Sequence, residues 1–267
     1  MGSGYIYEKI FTVVSFAVML VMNILPMNGM TTGEISDNYP NLLAPAGYAF
    51  SIWALIYLFL FIFTIYQLDL FPSRLIRLRP EVLNQVRILF SISSFLNAAW
   101  IMAWHYDFIA FSLMLIVTIL ICLMYINRII NLQKLSKREE IIIRLPFSIY
   151  FGWITVATVN NMTILLVSIR WRGFGLHETL WTIIILIIVL IITTYSTQHN
   201  KDMVYGFTVI WGYIGILVKH ISKLNLSGKY PDIITTIIVC IIVLTVGEGY
   251  LYLSKKNIVR RDGHNHA

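Results

Sequence analysis

Tyr39-Pro40-Asn41-Leu42-Leu43-Ala44-Pro45-Ala46-Gly47-Tyr48-Ala49-Phe50-Ser51-Ile52-Trp53-Ala54-Leu55-Ile56-Tyr57 runs from a loop marked by two prolines and a glycine straight into a strongly apolar segment. Phe50, Trp53 and Tyr57 fall at i, i+3 and i+7, so a helix places three large rings on one face. Lipid contact alone does not call for so aromatic a stripe.

Outward from this stretch, the chain is a membrane protein by composition. Hydrophobic residues make up 58% of its 267 positions and charged residues 12%, with a mean hydropathy of +0.77, a balance outside the range of soluble domains. A hydrocarbon core about 30 Å thick takes roughly 20 apolar residues per helix. Eight segments qualify, at residues 8–25, 46–68, 86–105, 107–127, 143–168, 178–198, 203–220 and 232–253. Backbone groups in lipid must satisfy one another, so the expected fold is all-α, a polytopic bundle of eight spans.

The formal charge of +7 reports topology and not a nucleic-acid surface. With a cytoplasmic N-terminus, 15 of the 20 Lys and Arg residues fall on the inner side, and only Arg170, Arg172, Lys219, Lys223 and Lys229 fall outside. Cytoplasmic loops carry this excess, so both termini are expected inside, in a bacterial-type plasma membrane. The first span reads as a retained helix, since no small-residue cleavage site follows it, and Ile6 stands where a myristoylation signal has Ser or Thr. Cys122 and Cys240 fall within spans with no metal-type spacing and read as packing residues.

Two further spans carry aromatic and amide residues in register. Asn97, Trp100 and Trp104 share one face of the third span. An unpaired amide in lipid is costly, so Asn97 must face the bundle. The fifth span carries Leu145-Pro146-Phe147 and then Trp153, Ala157 and Asn161 at i, i+4 and i+8. Chain direction puts Phe50–Tyr57, Asn97–Trp104 and Asn161 at one depth, in the outer half, with Trp153 near the midplane. Above them lies the loop 26–44, which has no Lys or Arg. An apolar cleft with a few amides suits a small molecule, and indole and phenol rings offer flat faces to a planar one. For Trp104 and Tyr48 the interfacial aromatic belt is an equally good reading.

The motifs P-x-G-x-x-F-x-x-W-x-x-x-Y, L-N-x-x-W and W-x-x-x-A-x-x-x-N, in this order on the second, third and fifth spans, resemble those of the translocator protein family, also called tryptophan-rich sensory proteins (TspO/MBR). The resemblance covers residues 8–168. It implies a five-helix membrane bundle over residues 1–168, followed at 169–267 by three more spans and a basic cytoplasmic tail. It also implies a ligand site formed by Pro45, Gly47, Phe50, Trp53, Tyr57, Asn97, Trp100, Trp153, Ala157 and Asn161, with loop 26–44 as a lid. The implied ligand is a tetrapyrrole such as protoporphyrin or haem, or a sterol-like lipid, bound without any required cofactor. The implied assembly is a homodimer, for which Ala98, Ala99 and Ala103 offer a small-residue surface. The chain departs from the family pattern at Tyr48, where tryptophan is usual, and at Ser51 and Ile52, where a second proline is.

Glu248 is the one acid inside an expected span beyond its first residue. It reads either as a structural residue near the inner interface or as a proton- or cation-coupling group. His264 and His266 supply two imidazoles without a third metal ligand, and His105 beside Asp107 reads as a surface pair. A cholesterol-type pattern from Val246 through Tyr250 to Lys255 carries little weight. No Ser-His-Asp order, phosphate loop or paired acids occur, so enzymatic activity is unsupported. Two alternatives remain beside a sensor or ligand-binding protein: a secondary transporter of a small solute, and an enzyme degrading a bound tetrapyrrole. The charge asymmetry gives the most direct test. Single cysteines placed at Thr32 and Ser73 should label oppositely with an impermeant maleimide, Thr32→Cys in intact cells and Ser73→Cys only after permeabilisation; labelling of Ser73→Cys from outside inverts the bundle.

Overall fold

The computed structural model describes residues 5–25, 27–68, 78–171 and 173–264. Ser73, the linker arginines Arg74 and Arg77, Arg172 and His266 lie outside these residues, as do the side chains of Lys255 and His264. Among the described residues there is no strand, and eight helices are long and apolar enough to cross a membrane.

In chain order the helices are α1 (Ile6–Ile24), the short α2 (Thr32–Asp37), α3 (Ile52–Tyr66), α4 (Pro80–His105), α5 (Ile109–Asn131), the single turn α6 (Lys137–Glu139), α7 (Leu145–Ser168), α8 (Glu178–Asn200), α9 (Met203–Ile221) and α10 (Pro231–His264). Prolines open several of them: Pro80 and Pro231 are first residues and Pro146 is second, positions where the missing N–H costs nothing. α4 begins six residues before the expected third span, because the segment from Pro80 to Val86 is too polar for a hydropathy window to include. The turn between α4 and α5 is tight, with Asp107 in the left-handed region at φ 58°. Before α7 the chain makes a capping box at Ser136 and Glu139 and then a π-helical turn, Glu140–Arg144.

The helices form two compact units. One comprises residues 1–41 and 50–171; the other comprises residues 42–49 and 172–267. In the first, α4 packs most extensively on α5 and α1, and α5 packs on α7. It holds a cluster of phenylalanines: Phe147 lies 4.9 Å from Phe63 and 5.5 Å from Phe90, both edge-on. The small residues Ala98 and Ala103 are buried within this unit and Ala99 is half-buried, so the surface read from them as a dimer contact is largely covered by the chain itself.

Polar groups in these spans find partners on neighbouring helices. Arg87, 2% exposed, donates from Nε to the Gln67 side-chain oxygen at 2.9 Å and from Nη2 to the Gln67 carbonyl at 2.7 Å. Gln67 in turn donates to the Lys9 carbonyl at 3.2 Å, which ties the ends of α1, α3 and α4 together. Glu139 accepts from the Leu78 N–H at 2.8 Å, so the turn before α7 is fastened to the chain just ahead of α4.

In the second unit, α10 packs on α9 and α8. Tyr213 donates to the Leu186 carbonyl at 2.6 Å and Gln198 to the Gly247 carbonyl at 3.0 Å. Glu248 does not reach interfacial water as the sequence suggests. It is 2% exposed, because Gly206 lacks the Cβ that would collide with its carboxylate. Cys122 and Cys240 are buried free thiols.

Replacing Arg87 with methionine keeps the length of the side chain and removes both donations to Gln67. Charge-assisted hydrogen bonds of this kind contribute about 1.5–3 kcal/mol each. Arg87→Met should therefore lower the thermal midpoint of the detergent-solubilised protein clearly, by circular dichroism, whereas the exposed Glu81→Gln at the same end of α4 should leave it unchanged.

Candidate functional site

The aromatic residues of α3, α4 and α7 meet around Trp53. Its indole stacks on Tyr57 with ring centroids 5.5 Å apart and planes 16° from parallel. It lies 5.9 Å from Trp100, 6.1 Å from Tyr150 and 6.4 Å from Trp153. Phe50 meets Trp153 edge-on at 5.7 Å, and Trp100 stacks on Trp104 at 5.9 Å. Phe50 stands in a 3-10 turn, Gly47–Ser51, that opens α3, and not in the uninterrupted helix the i, i+3, i+7 spacing suggests. The tighter turn changes the angle at which its ring leaves the backbone, and the ring reaches Trp153 while Trp53 and Tyr57 keep their stack.

Two amides tie this cluster to the surrounding helices. Asn97 donates to the Tyr150 hydroxyl at 3.0 Å and accepts from the Asn23 side chain at 2.9 Å, which joins α1, α4 and α7. Asn161 accepts from the Trp100 indole N–H at 3.1 Å and donates to Ser112 Oγ at 3.0 Å. Ala157 is half-buried one turn from both Trp153 and Asn161 on α7. Two donors of the cluster differ. The Trp153 indole N–H and the Tyr57 hydroxyl are buried and have no hydrogen-bond partner among the described residues, a costly arrangement in an apolar setting.

Pro45 and Gly47 fall outside the unit that holds these rings. They belong to the second unit, where the segment 42–49 lies along α9: the Ala46 N–H donates to the Gly215 carbonyl and the Trp211 indole N–H to the Ala49 carbonyl, each at 3.0 Å. A Cβ on Gly47 would meet nothing within 4 Å. Tyr48 is 42% exposed and edges onto Trp211 at 5.5 Å.

Residues 27–41 form a folded cap fastened toward the C-terminal ends of α4 and α7. Trp104, 1% exposed, donates to the Thr32 carbonyl at 3.2 Å, so it is a packed cluster residue and not part of an interfacial belt. Asn160 donates to Ser36 Oγ at 3.1 Å, and Tyr39 to Asp107 at 3.1 Å. His105 is buried, against the surface reading of its sequence position. Its Nδ1 faces the Met27 carbonyl and Asn28 Oδ1, both acceptors, so that nitrogen carries the proton. Burial and the hydrogen bond to Asp107 push the Tyr39 phenol up.

Tyr150, Trp104, Asn23 and Ser112 thus join the residues expected from sequence. Tyr150 and Trp104 were accessible from spacing, three residues before Trp153 and four after Trp100. Asn23 and Ser112 act across helix contacts and leave no pattern of their own. Among the described residues no group of three or more His, Cys, Asp or Glu could hold a metal ion.

Fold and cluster together define a polytopic helical membrane protein with a buried aromatic core in its N-terminal unit. A family model described as TSPO-like protein matches residues 6–250, and the chain belongs to that family. The match continues past residue 168, where the motif resemblance ends, through α8 and α9 and into α10. No curated protein and no solved structure matches the chain.

The cap makes a pH prediction. The Thr31 N–H donates to the Glu34 carboxylate at 2.6 Å while the Glu34 N–H donates to the Thr31 hydroxyl at 3.2 Å, and these contacts hold the carboxyl below its usual range. A depressed carboxylate stabilises the fold above its unfolded pKa, and the contribution disappears as pH falls through the folded value. Amide exchange in Thr32–Asp37, corrected for intrinsic chemistry, should rise below the ordinary carboxylate range in the wild type, and Glu34→Gln should show no such step.

Proposed function

We propose that this protein is a membrane sensor or ligand-binding protein whose N-terminal unit binds a planar hydrophobic ligand, a tetrapyrrole or a sterol-like lipid, among Trp53, Trp100, Trp153 and their neighbours. The observation that carries this reading is the pairing of stacked rings with two unsatisfied donors. A close-packed core has no use for a buried indole N–H and a buried phenol without acceptors, whereas a flat ligand with a carboxylate or carbonyl at its edge meets both. Trp53 offers the stacking surface, and a ligand ring would take the place of Tyr57 against it. Asn97 and Asn161 hold the surrounding helices in place. The distribution of Lys and Arg supports both termini on the cytoplasmic side and the cluster in the outer half of the membrane.

A transport reading finds support in Glu248, a buried acid in a span, since such residues mark ion or proton paths in carriers. Solute flux in proteoliposomes that is lost in Glu248→Gln would favour it. Turnover of a tetrapyrrole needs a product, so an unchanged absorption spectrum of bound protoporphyrin under light and air counts against an enzyme.

Binding is tested by titrating protoporphyrin into the purified protein and following tryptophan emission. Quenching is expected at micromolar concentration. Trp53→Ala should weaken binding about tenfold or more. Trp153→Phe keeps a ring and removes only the N–H, and the loss of one buried hydrogen bond should weaken binding roughly fivefold to tenfold. Equal affinity in the wild type and both variants removes the site from these residues.

A further inference from the structure

Threonines in the apolar helices of the second unit mostly settle their hydroxyls on their own backbone. Thr182, Thr208, Thr236 and Thr245 each donate to the carbonyl four residues earlier, at 2.7–2.9 Å, a common resort of a hydroxyl in a helix. Thr193 and Thr197 on α8 do not. They are 0% and 2% exposed, and their hydroxyl oxygens have no hydrogen-bond partner among the described residues. Four residues apart, they share one face of α8. A buried hydroxyl left in that state is costly, and two in succession ask for an explanation.

Thr197 also faces a carboxylate. A Cβ on Gly206 of α9 would collide with Glu248 Oε1 of α10 and would stand 3.0 Å from Thr197 Oγ1. Both oxygens therefore lie within 3.0 Å of one point, where three helices meet. A hydroxyl so near a carboxylate ordinarily donates to it, yet Thr197 donates to nothing among the described residues. The two oxygens converge without bonding to each other. Beside them Gln198 fastens α8 to α10 through the Gly247 carbonyl at 3.0 Å, and Asp202 Oδ1 accepts from the N–H groups of Val204 and Tyr205 and so caps α9.

We propose that Glu248, Thr197 and Thr193 form a binding site for a small monovalent cation, sodium, at the contact of α8, α9 and α10. All the donors are oxygens, which suits a hard cation. One carboxylate balances one positive charge, as a buried ion requires. Calcium takes about six to eight oxygens and magnesium keeps several waters, and three side-chain oxygens in a dry helix contact supply neither. A large cation is excluded at Gly206, where a single methyl group would collide. Glu248 and Thr197 supply the converging oxygens, Thr193 continues the hydroxyl face by one turn, and Gly206 keeps the space between the helices open. The site does not depend on what the aromatic cluster binds, and sodium held as a resident ion needs no transport.

The test is thermal unfolding of the full-length protein in detergent, at one pH and one ionic strength, with sodium, potassium or choline chloride as the salt. Sodium should raise the midpoint saturably, on the order of 5 °C at full occupancy, and potassium and choline should not. Thr197→Val keeps the shape of the side chain and removes the hydroxyl. It should abolish most of the sodium increment without lowering the midpoint in choline. Glu248→Gln should abolish the increment as well, whereas Thr245→Val, at an exposed hydroxyl bonded to its own helix, should keep it in full. Radioactive sodium captured by immobilised wild type and lost in Thr197→Val gives the same answer without unfolding, and it decides the matter if Glu248→Gln does not fold. A midpoint equal in the three salts, or a sodium increment that survives both variants, overturns the inference. A midpoint that follows pH through Glu248 and ignores sodium makes the acid a proton site and overturns it too.

Discussion

An amide inside a hydrocarbon layer has no water to turn to, and the N-terminal unit is organised by that fact. Asn97 sits in the middle of α4, fully buried, and its two polar ends require one partner on α1 and one on α7. Without Asn23 and Tyr150 its burial would cost several kcal/mol, comparable to a sizeable share of the stability of a whole domain. The register of three helices is thereby constrained at one level. Asn161 repeats the arrangement nearby, joining α4, α5 and α7 through Trp100 and Ser112. Hydrophobic pattern alone cannot do this in lipid, because the lipid is as apolar as the side chains.

The aromatic residues sort by polarity around these amides. Phenylalanines gather away from the cap, where Phe63, Phe90 and Phe147 meet edge-on. Tryptophans and tyrosines gather at the level of the amides, which give Trp100 and Tyr150 their partners, while the Trp153 N–H and the Tyr57 hydroxyl have none among the described residues. The L-P-F element before α7 belongs to the first group and Tyr150 to the second. Tyr150 stands beside Trp53, with ring centroids 6.1 Å apart.

Much of this was legible in the residues. Eight spans followed from hydropathy, and three motif-bearing helices followed from spacing; both depend on local period, which a single chain displays. Asn97 had to face the bundle on cost alone. What spacing did not display was partnership across helices. Ser112 and Asn23 look like ordinary residues of apolar spans, and nothing near Gly215 marks it as the contact of a loop far away in the chain. The two ends of the Phe50 motif were separable only in three dimensions: the rings stay with the N-terminal unit while Pro45 and Gly47 stand on α9. His105 and Glu248 were misplaced for a related reason. Position near a span end suggests access to water, but a folded cap covers the first, and a glycine on the neighbouring helix admits the second to the interior.

The attachment of residues 42–49 to α9 also sets an order of events during synthesis. Ala49 and its partner Trp211 are 162 residues apart, and Leu42 and His220 are 178 apart. At roughly 5–20 residues per second, the ribosome needs on the order of ten to thirty seconds to deliver α9 after the segment has emerged. During that interval three backbone groups destined for α9 must be held by lipid headgroups, water or the insertion machinery. The entrance to the aromatic helix is thus made long before the helix that supplies these bonds.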